Sequence, residues 1–199
     1  MPDDPIQLDD QGHWLDLAGF GRDAWNTWAE KELEKPFSQR KTVNLENVKI
    51  KHSDFSGFKF PSYVNFSSAE FQCHAFFSQA HFFWNVSFHG SQFAHGATFD
   101  RTIFDATAFD VTADFISAGF AKDEGCSFNG AKFDARVFFN CAQFRGRAQF
   151  LSATFAKRAE FINARFQGIA DFDRSEFAAD VCFWNLLLPC LHGPIRVGN

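Results

Sequence analysis

The sequence predicts an all-β solenoid, a stack of short strands wound around an aromatic core. Three observations carry that prediction. Phenylalanine supplies 30 of the 199 residues, and 28 of them lie after Leu45. From Leu45 to Phe183 an apolar centre recurs every five or six residues, in a span that holds only two Leu. Two residues before each centre stands a small side chain, so the unit is small-x-Phe followed by two or three mostly polar residues.

The centres begin at Leu45 and Ile50 and run through Phe55, Phe60, Phe66, Phe71, Phe77, Phe82, Phe88, Phe93, Phe99, Phe104, Phe109, Phe115 and Phe120. They resume at Phe128, Phe133, Phe139, Phe144, Phe150, Phe155, Phe161, Phe166, Phe172, Phe177 and Phe183. Of the 25 steps, 14 are of five residues, 10 of six and one of eight. The preceding small residue is Ala 13 times, and Phe58 is the sole large one. An eleven-residue period suits a right-handed coiled coil. At about 100° per residue, however, the two Phe of one period fall about 140° apart and leave no apolar stripe. Strand alternation instead puts the small residue and the Phe on one face. The residues between units, including Gly57, Gly90, Gly96, Gly130, Gly146 and Gly168, have turn chemistry.

These segments, among them AEFQCHAFF (69–77), ATFDRTIFD (97–105), AQFLSATFAKRAEFINARF (148–166) and ADFDRSEF (170–177), resemble the pentapeptide-repeat proteins, in the Phe-centred branch with alternating five- and six-residue spacing. The resemblance implies a right-handed quadrilateral β-helix over residues 43–183, four faces per coil, with each Phe and its small partner inside. Coils of about 22 residues should bulge at their corners. Twenty-six faces make about six and a half coils and, at about 4.8 Å per coil, a rod about 30 Å long. The column through Phe55 should continue through Phe77, Phe99, Phe120, Phe144 and Phe166, and the eight-residue step from Phe120 to Phe128 should protrude as a loop.

A solenoid exposes apolar faces and strand edges at its ends, so caps are expected. Residues 1–42 read as an acidic tail and a capping helix over Asp23–Lys35, with Asp23 as N-cap, Trp25, Trp28, Ala29 and Leu33 on one side, and Pro36 as its stop. Residues 184–199, where the register stops, read as a C-terminal tail, cap or dimer contact. Phe58 takes an inward position near a tapering end.

The formal charge of -5 argues against a generic nucleic-acid or anionic-membrane binder. No apolar run is long enough to span a bilayer, and the start, MPDDPIQLDD, has no signal-like apolar stretch, so the expected location is the cytoplasm. The five Cys form no C-x-x-C pair and suit reduced thiols, with Cys126 inside. His52 and His74, each three residues before a centre, are expected as stacked, solvated neighbours. No metal, cofactor or catalytic residue is expected, since nucleophile-elbow, phosphate-loop and zinc-protease motifs are all absent.

The function expected is that of a non-enzymatic protein-binding or scaffold rod. Two alternatives stand beside it. A different β-helix class cleaves acidic polysaccharides with clustered acids and Arg, a role open in principle to Asp171, Asp173, Arg174 and Glu176. Some pentapeptide-repeat proteins mimic DNA and bind gyrase, which implies an acidic ridge along one face. The span 45–183 holds 15 acids and 13 Lys or Arg, and residues 132–165 are basic, with seven Lys or Arg against two acids. Asp100, Asp105 and Asp110 fall on three different faces, and the best same-face set is Asp110 and Asp134 with His89 below. What remains for recognition is the aromatic residues that break step. Phe76, Phe83, Phe138 and Trp84 should point outward, and Phe76, Phe83 and Trp84 are the candidate partner-binding residues.

Overall fold

The computed structural model describes residues 11–105, 111–185, 190–192 and 196–197. A two- or three-residue strand has no stability alone; its hydrogen bonds come from the coils above and below. Every pairing between the described strands is parallel, and the strands gather into four sheets of seven, six, six and seven. The chain visits the sheets in turn, as first, second, third and fourth face, and then climbs to the next coil. The fold is a four-sided parallel β-solenoid.

Inside, each face contributes one column of centres, fixed by strand register. The first runs Leu45, Phe66, Phe88, Phe115, Phe139, Phe161, Phe183, and the second Ile50, Phe71, Phe93, Phe120, Phe144, Phe166. The third is Phe55, Phe77, Phe99, Phe128, Phe150, Phe172 and the fourth Phe60, Phe82, Phe104, Phe133, Phe155, Phe177. Rings within a column lie parallel, as for Phe77 and Phe99 at 4.8 Å and 1°. Rings of the first and third columns meet edge to face across the interior, as for Phe88 and Phe99 at 5.5 Å and 83°. Each buried ring contributes about 1.5–3 kcal/mol by area, and each such pair about 0.5–1.5 kcal/mol more. The Ala before each Phe makes room for this packing: Ala97, Ala118 and Ala153 are buried beside their rings.

The five- and six-residue steps have a structural division of labour. All first-to-second and third-to-fourth corners are five-residue steps. There the carbonyl of the centre accepts the N–H three residues on, as in Ala69 to Phe66 and Ala153 to Phe150, both 3.0 Å. The third residue of that turn is left-handed: Asn47, Ser68, Ser117, Cys141, Asn163 and Asn185 at one corner, Gln79, Arg101, Ser152 and Arg174 at the other. This is the pattern of a type II turn, for which Gly and Asn are the natural residues. The six-residue steps occupy the remaining two corners.

The column prediction fails above Phe99. Phe128, not Phe120, stacks on Phe99, at 4.8 Å and 3°, while Phe120 stacks on Phe93 at 4.9 Å and 1°. Phe104 lies on the fourth face and Phe115 on the first, two consecutive faces. Counting Phe109 as a face therefore advanced every later assignment by one; Phe109 itself lies outside the described residues.

The lower end is closed by a helical hairpin, α1 (Gln11–Gly19) and α2 (Arg22–Leu33). The N-cap of α2 is Gly21, at φ 89°, not Asp23, which sits in the first turn. Trp14, Trp25 and Trp28 form one cluster, and Trp25 lies on Phe58 at 5.2 Å and on Phe60 at 5.3 Å. The Trp25 indole N–H donates to the Lys59 carbonyl at 2.8 Å, so the cap is docked by polar and apolar contacts together. Phe58 is buried under it, as its break from the small-residue rule led one to expect. At the upper end strand pairing runs past Phe183: residues 190–192 pair with 169–171, and 196–197 with 176–177.

Candidate partner-binding surface

The three out-of-step aromatics all lie on the second coil, but they do not form one cluster. Phe76 sits on the third face, 44% exposed, with its ring 4.5 Å from that of His74. Phe83 follows the fourth-face centre Phe82 and stacks on His81 at 3.7 Å. Trp84, at the next corner, packs on Phe37 at 3.9 Å, so the segment leading from α2 partly covers it. Phe37 is itself 43% exposed. The two form a small aromatic ledge at the first coils.

His74 stands one coil above His52 in the strand register and is half-buried. Its ring faces up the rod, where Nδ1 donates to the His95 carbonyl at 2.9 Å and to Glu124 at 2.6 Å, and Nε2 meets the Thr98 hydroxyl at 2.8 Å. Glu124 belongs to the loop between Phe120 and Phe128, two coils above. It reaches His74 because the aligned residue between them is Gly96: a Cβ there would lie 2.5 Å from the Gly125 carbonyl and 3.0 Å from the Glu124 side chain. The loop expected to protrude is thus held against the rod. Gly146 and Gly168 continue the close backbone approach above it.

Charge is distributed, not ranked. Asp134 stands one coil above Asp105, as the register of Phe104 and Phe133 sets it, and the expected pairing with Asp110 falls on a residue outside the described ones. The column through that pair reads Pro61, Phe83, Asp105, Asp134, Ala156, Ala178. Among the described residues no outward column carries acids in more than two successive coils. His81 bonds Asp105 at 3.2 Å, and its pKa falls below the ordinary value, mainly through burial, against the pull of that carboxylate. His89 lies 3.6 Å from Asp114 on the first face. Asp171, on the third face, is buried against Arg147 at 3.1 Å, whereas Glu176 projects from the fourth and Arg174 pairs with Asp173. These four do not converge. Cys126 is buried, which raises its thiol pKa well above the usual range. Among the described residues no cluster of three His, Cys, Asp or Glu is placed to hold a metal ion, and no helix is long and apolar enough to cross a membrane.

Two surfaces went unread in the sequence. A groove of about 890 Å³ opens between the hairpin and the first coil, lined by Leu15, Phe20, Arg22, Lys49, Lys51 and His52. It depends on α1, whose nine residues QGHWLDLAG hold too little periodicity to announce a helix. The second is an apolar stripe on the upper first face. Ile116, Ile162 and Trp184 each follow a first-face centre, and Phe138 and Cys182 each precede one. Trp184 is 72% exposed and the others are half-buried. The sequence carries a signal for it, since apolar residues recur at outward positions of this column.

No family model matches the sequence, and no curated protein matches it. Among solved structures the chain is similar to two of QnrB1, a plasmid-mediated fluoroquinolone resistance protein. A trypsin-treated variant is 17% identical over 79% of this chain and 88% of that one, with a TM-score of 0.27. The full-length form is 16% identical over 80% and 93%, with a TM-score of 0.23.

Proposed function

We propose that this four-sided pentapeptide-repeat solenoid is a non-enzymatic rod that binds other proteins through its outer faces. The observation that supports the reading most directly is the division between inside and outside. Within the repeats Phe is spent almost wholly on the four columns, yet a few large apolar side chains, Phe76, Ile169 and Trp184 among them, remain exposed. A rigid rod with a mixed polar skin gains nothing in stability from leaving such residues in water; they suit contact with a partner. Phe76, Phe83 and Trp84 remain candidates in this reading, as two separate contact points on the second coil. The charge columns do not favour DNA mimicry, which calls for a continuous acidic ridge, and the dispersal of Asp171, Asp173, Arg174 and Glu176 does not favour polysaccharide cleavage. A cytoplasmic partner and, at an end of the rod, a second copy of the chain are both compatible with it.

Affinity purification from the native host tests the reading. A protein retained in stoichiometric amount, and lost when outer-face aromatics are replaced, is the expected result. Retention of nothing above a control of unrelated fold would overturn it.

A further inference from the structure

We propose that the apolar stripe on the upper first face is a docking site for an acidic, amphipathic α-helix of a partner protein. The inference rests on the rod-as-binder reading and gives it a place and a ligand chemistry.

The stripe is built by the repeat. Ile116, Asn140, Ile162 and Trp184 stand one above another, one per coil, each directly after a first-face centre. Phe138 and Cys182 lie beside them, before the centres Phe139 and Phe183. Lower on the same face the equivalent positions are polar: Asn44, Glu46, Asn65, Ser67, Ser87 and His89. From the fourth coil upward Ile116, Phe138, Ile162, Cys182 and Trp184 enter these positions, with Asp114, Asn140 and Glu160 between them, whereas the lower coils carry polar residues alone.

The spacing selects the occupant. The stripe runs along the rod axis, across the strands, with one side chain about every 4.8 Å. A helix laid along that axis presents an apolar residue once per turn, about every 5.4 Å. An extended strand presents same-face residues about every 6.6 Å and falls out of step within two coils. From Ile116 to Trp184 is three coils, about 14 Å, which a helix covers in about ten residues.

The borders select its charge. Arg136, Lys157 and Arg158 line the corner that leads into this face, and Arg145 and Arg165 lie on the second face beyond it. Residues 132–165 carry seven Lys or Arg against two acids, Asp134 and Glu160. Glu160 is already engaged, by Arg158 at 2.8 Å and the Asn140 amide at 2.8 Å. Arg136 lies 6.0 Å from the Phe138 ring. Asp180 is the next acid up the same corner. An apolar strip between two cationic borders matches a helix with an aliphatic stripe flanked by Glu or Asp.

The test uses the full chain and a labelled helical peptide of about 18 residues, with Leu at one helical stripe and Glu elsewhere. Fluorescence anisotropy should show saturable binding, with a dissociation constant on the order of micromolar, weakened by added salt. Ile162→Ser with Trp184→Ser should weaken it at least about tenfold while circular dichroism and melting stay as in the parent. Lys157→Glu with Arg158→Glu should do the same, and Phe83→Ser with Trp84→Ser should leave it intact. Equal binding of a peptide with Lys in place of Glu, or of one with scrambled Leu, would overturn the proposal. So would self-association that the Ile162→Ser, Trp184→Ser chain loses in sedimentation, because a second copy would then be the occupant. A native-host partner captured equally by parent and stripe variant would remove this site and leave the rod reading standing.

Discussion

At the residue scale two positions of the repeat bear opposite demands. Above Leu45 and Ile50 every described centre is a flat ring, and parallel rings 4.4–5.2 Å apart fill the narrow columns. Phe99 has such neighbours on both sides, Phe77 and Phe128, each at 4.8 Å. Phe99→Ala should cost about 3–5 kcal/mol, read as a lowered urea midpoint, and a loss under about 1 kcal/mol would mean the column tolerates gaps. The left-handed corner residue must avoid branching at Cβ. Asn163, at φ 56°, tolerates Gly, whereas Asn163→Val should destabilise by about 1–2 kcal/mol in the same assay. His81 carries a pH dependence. Its folded pKa is lowered, so the unfolded chain binds the proton more readily; stability is full above the ordinary value of about 6.5 and falls as pH drops through and below it. His81→Gln should flatten the stability profile between about pH 7 and 5, and an unchanged slope would mean that other groups set it.

At the element scale the corners and the cap explain what the sequence revealed and what it concealed. The strands were legible because small-x-Phe is a two-residue period repeated without competition, and Phe58 announced the capped end by breaking it. The fourth-to-first corner after Phe104 was not legible, since Phe109 and Thr107 satisfy the small-x-Phe rule by spacing alone, and spacing carries no information about which residues pair. Helix α1 was hidden by its length, and the 121–125 loop by partners that are remote in sequence: His74, two coils below, and backbone beside Gly96 and Gly146. The cap itself is testable. Trp25 joins the Trp cluster to Phe58 and Phe60 and donates to Lys59, so Trp25→Ala should cost about 3–5 kcal/mol. Amide exchange should then rise first in the strands at 43–44, 49–50 and 59–60; protection unchanged there would show the hairpin to be an accessory.

At the scale of the whole molecule the solenoid separates architecture from recognition. The four columns account for nearly every Phe in the repeats and are fixed by packing, so variation in them acts on stability. The skin is mostly polar, and its apolar departures are few: the ledge of Phe37 and Trp84, Phe83 on His81, the exposed Phe76 and Ile169, and the first-face stripe. The candidate residues named from sequence were legible as outward-facing, because two-residue alternation fixes direction. Their failure to cluster was not, since Trp84 is drawn to Phe37 by a segment whose path the repeat does not encode.

The central claim is that this rod acts by binding protein through its outer faces. The measurement that meets it most directly is quantitative affinity capture from the native host with three equally folded chains: the parent, the Phe83→Ser, Trp84→Ser variant and the Ile162→Ser, Trp184→Ser variant. One stoichiometric protein on the parent, sharply reduced on at least one variant, is the expected result. A parent that retains nothing, or variants that retain every protein as the parent does, would contradict it.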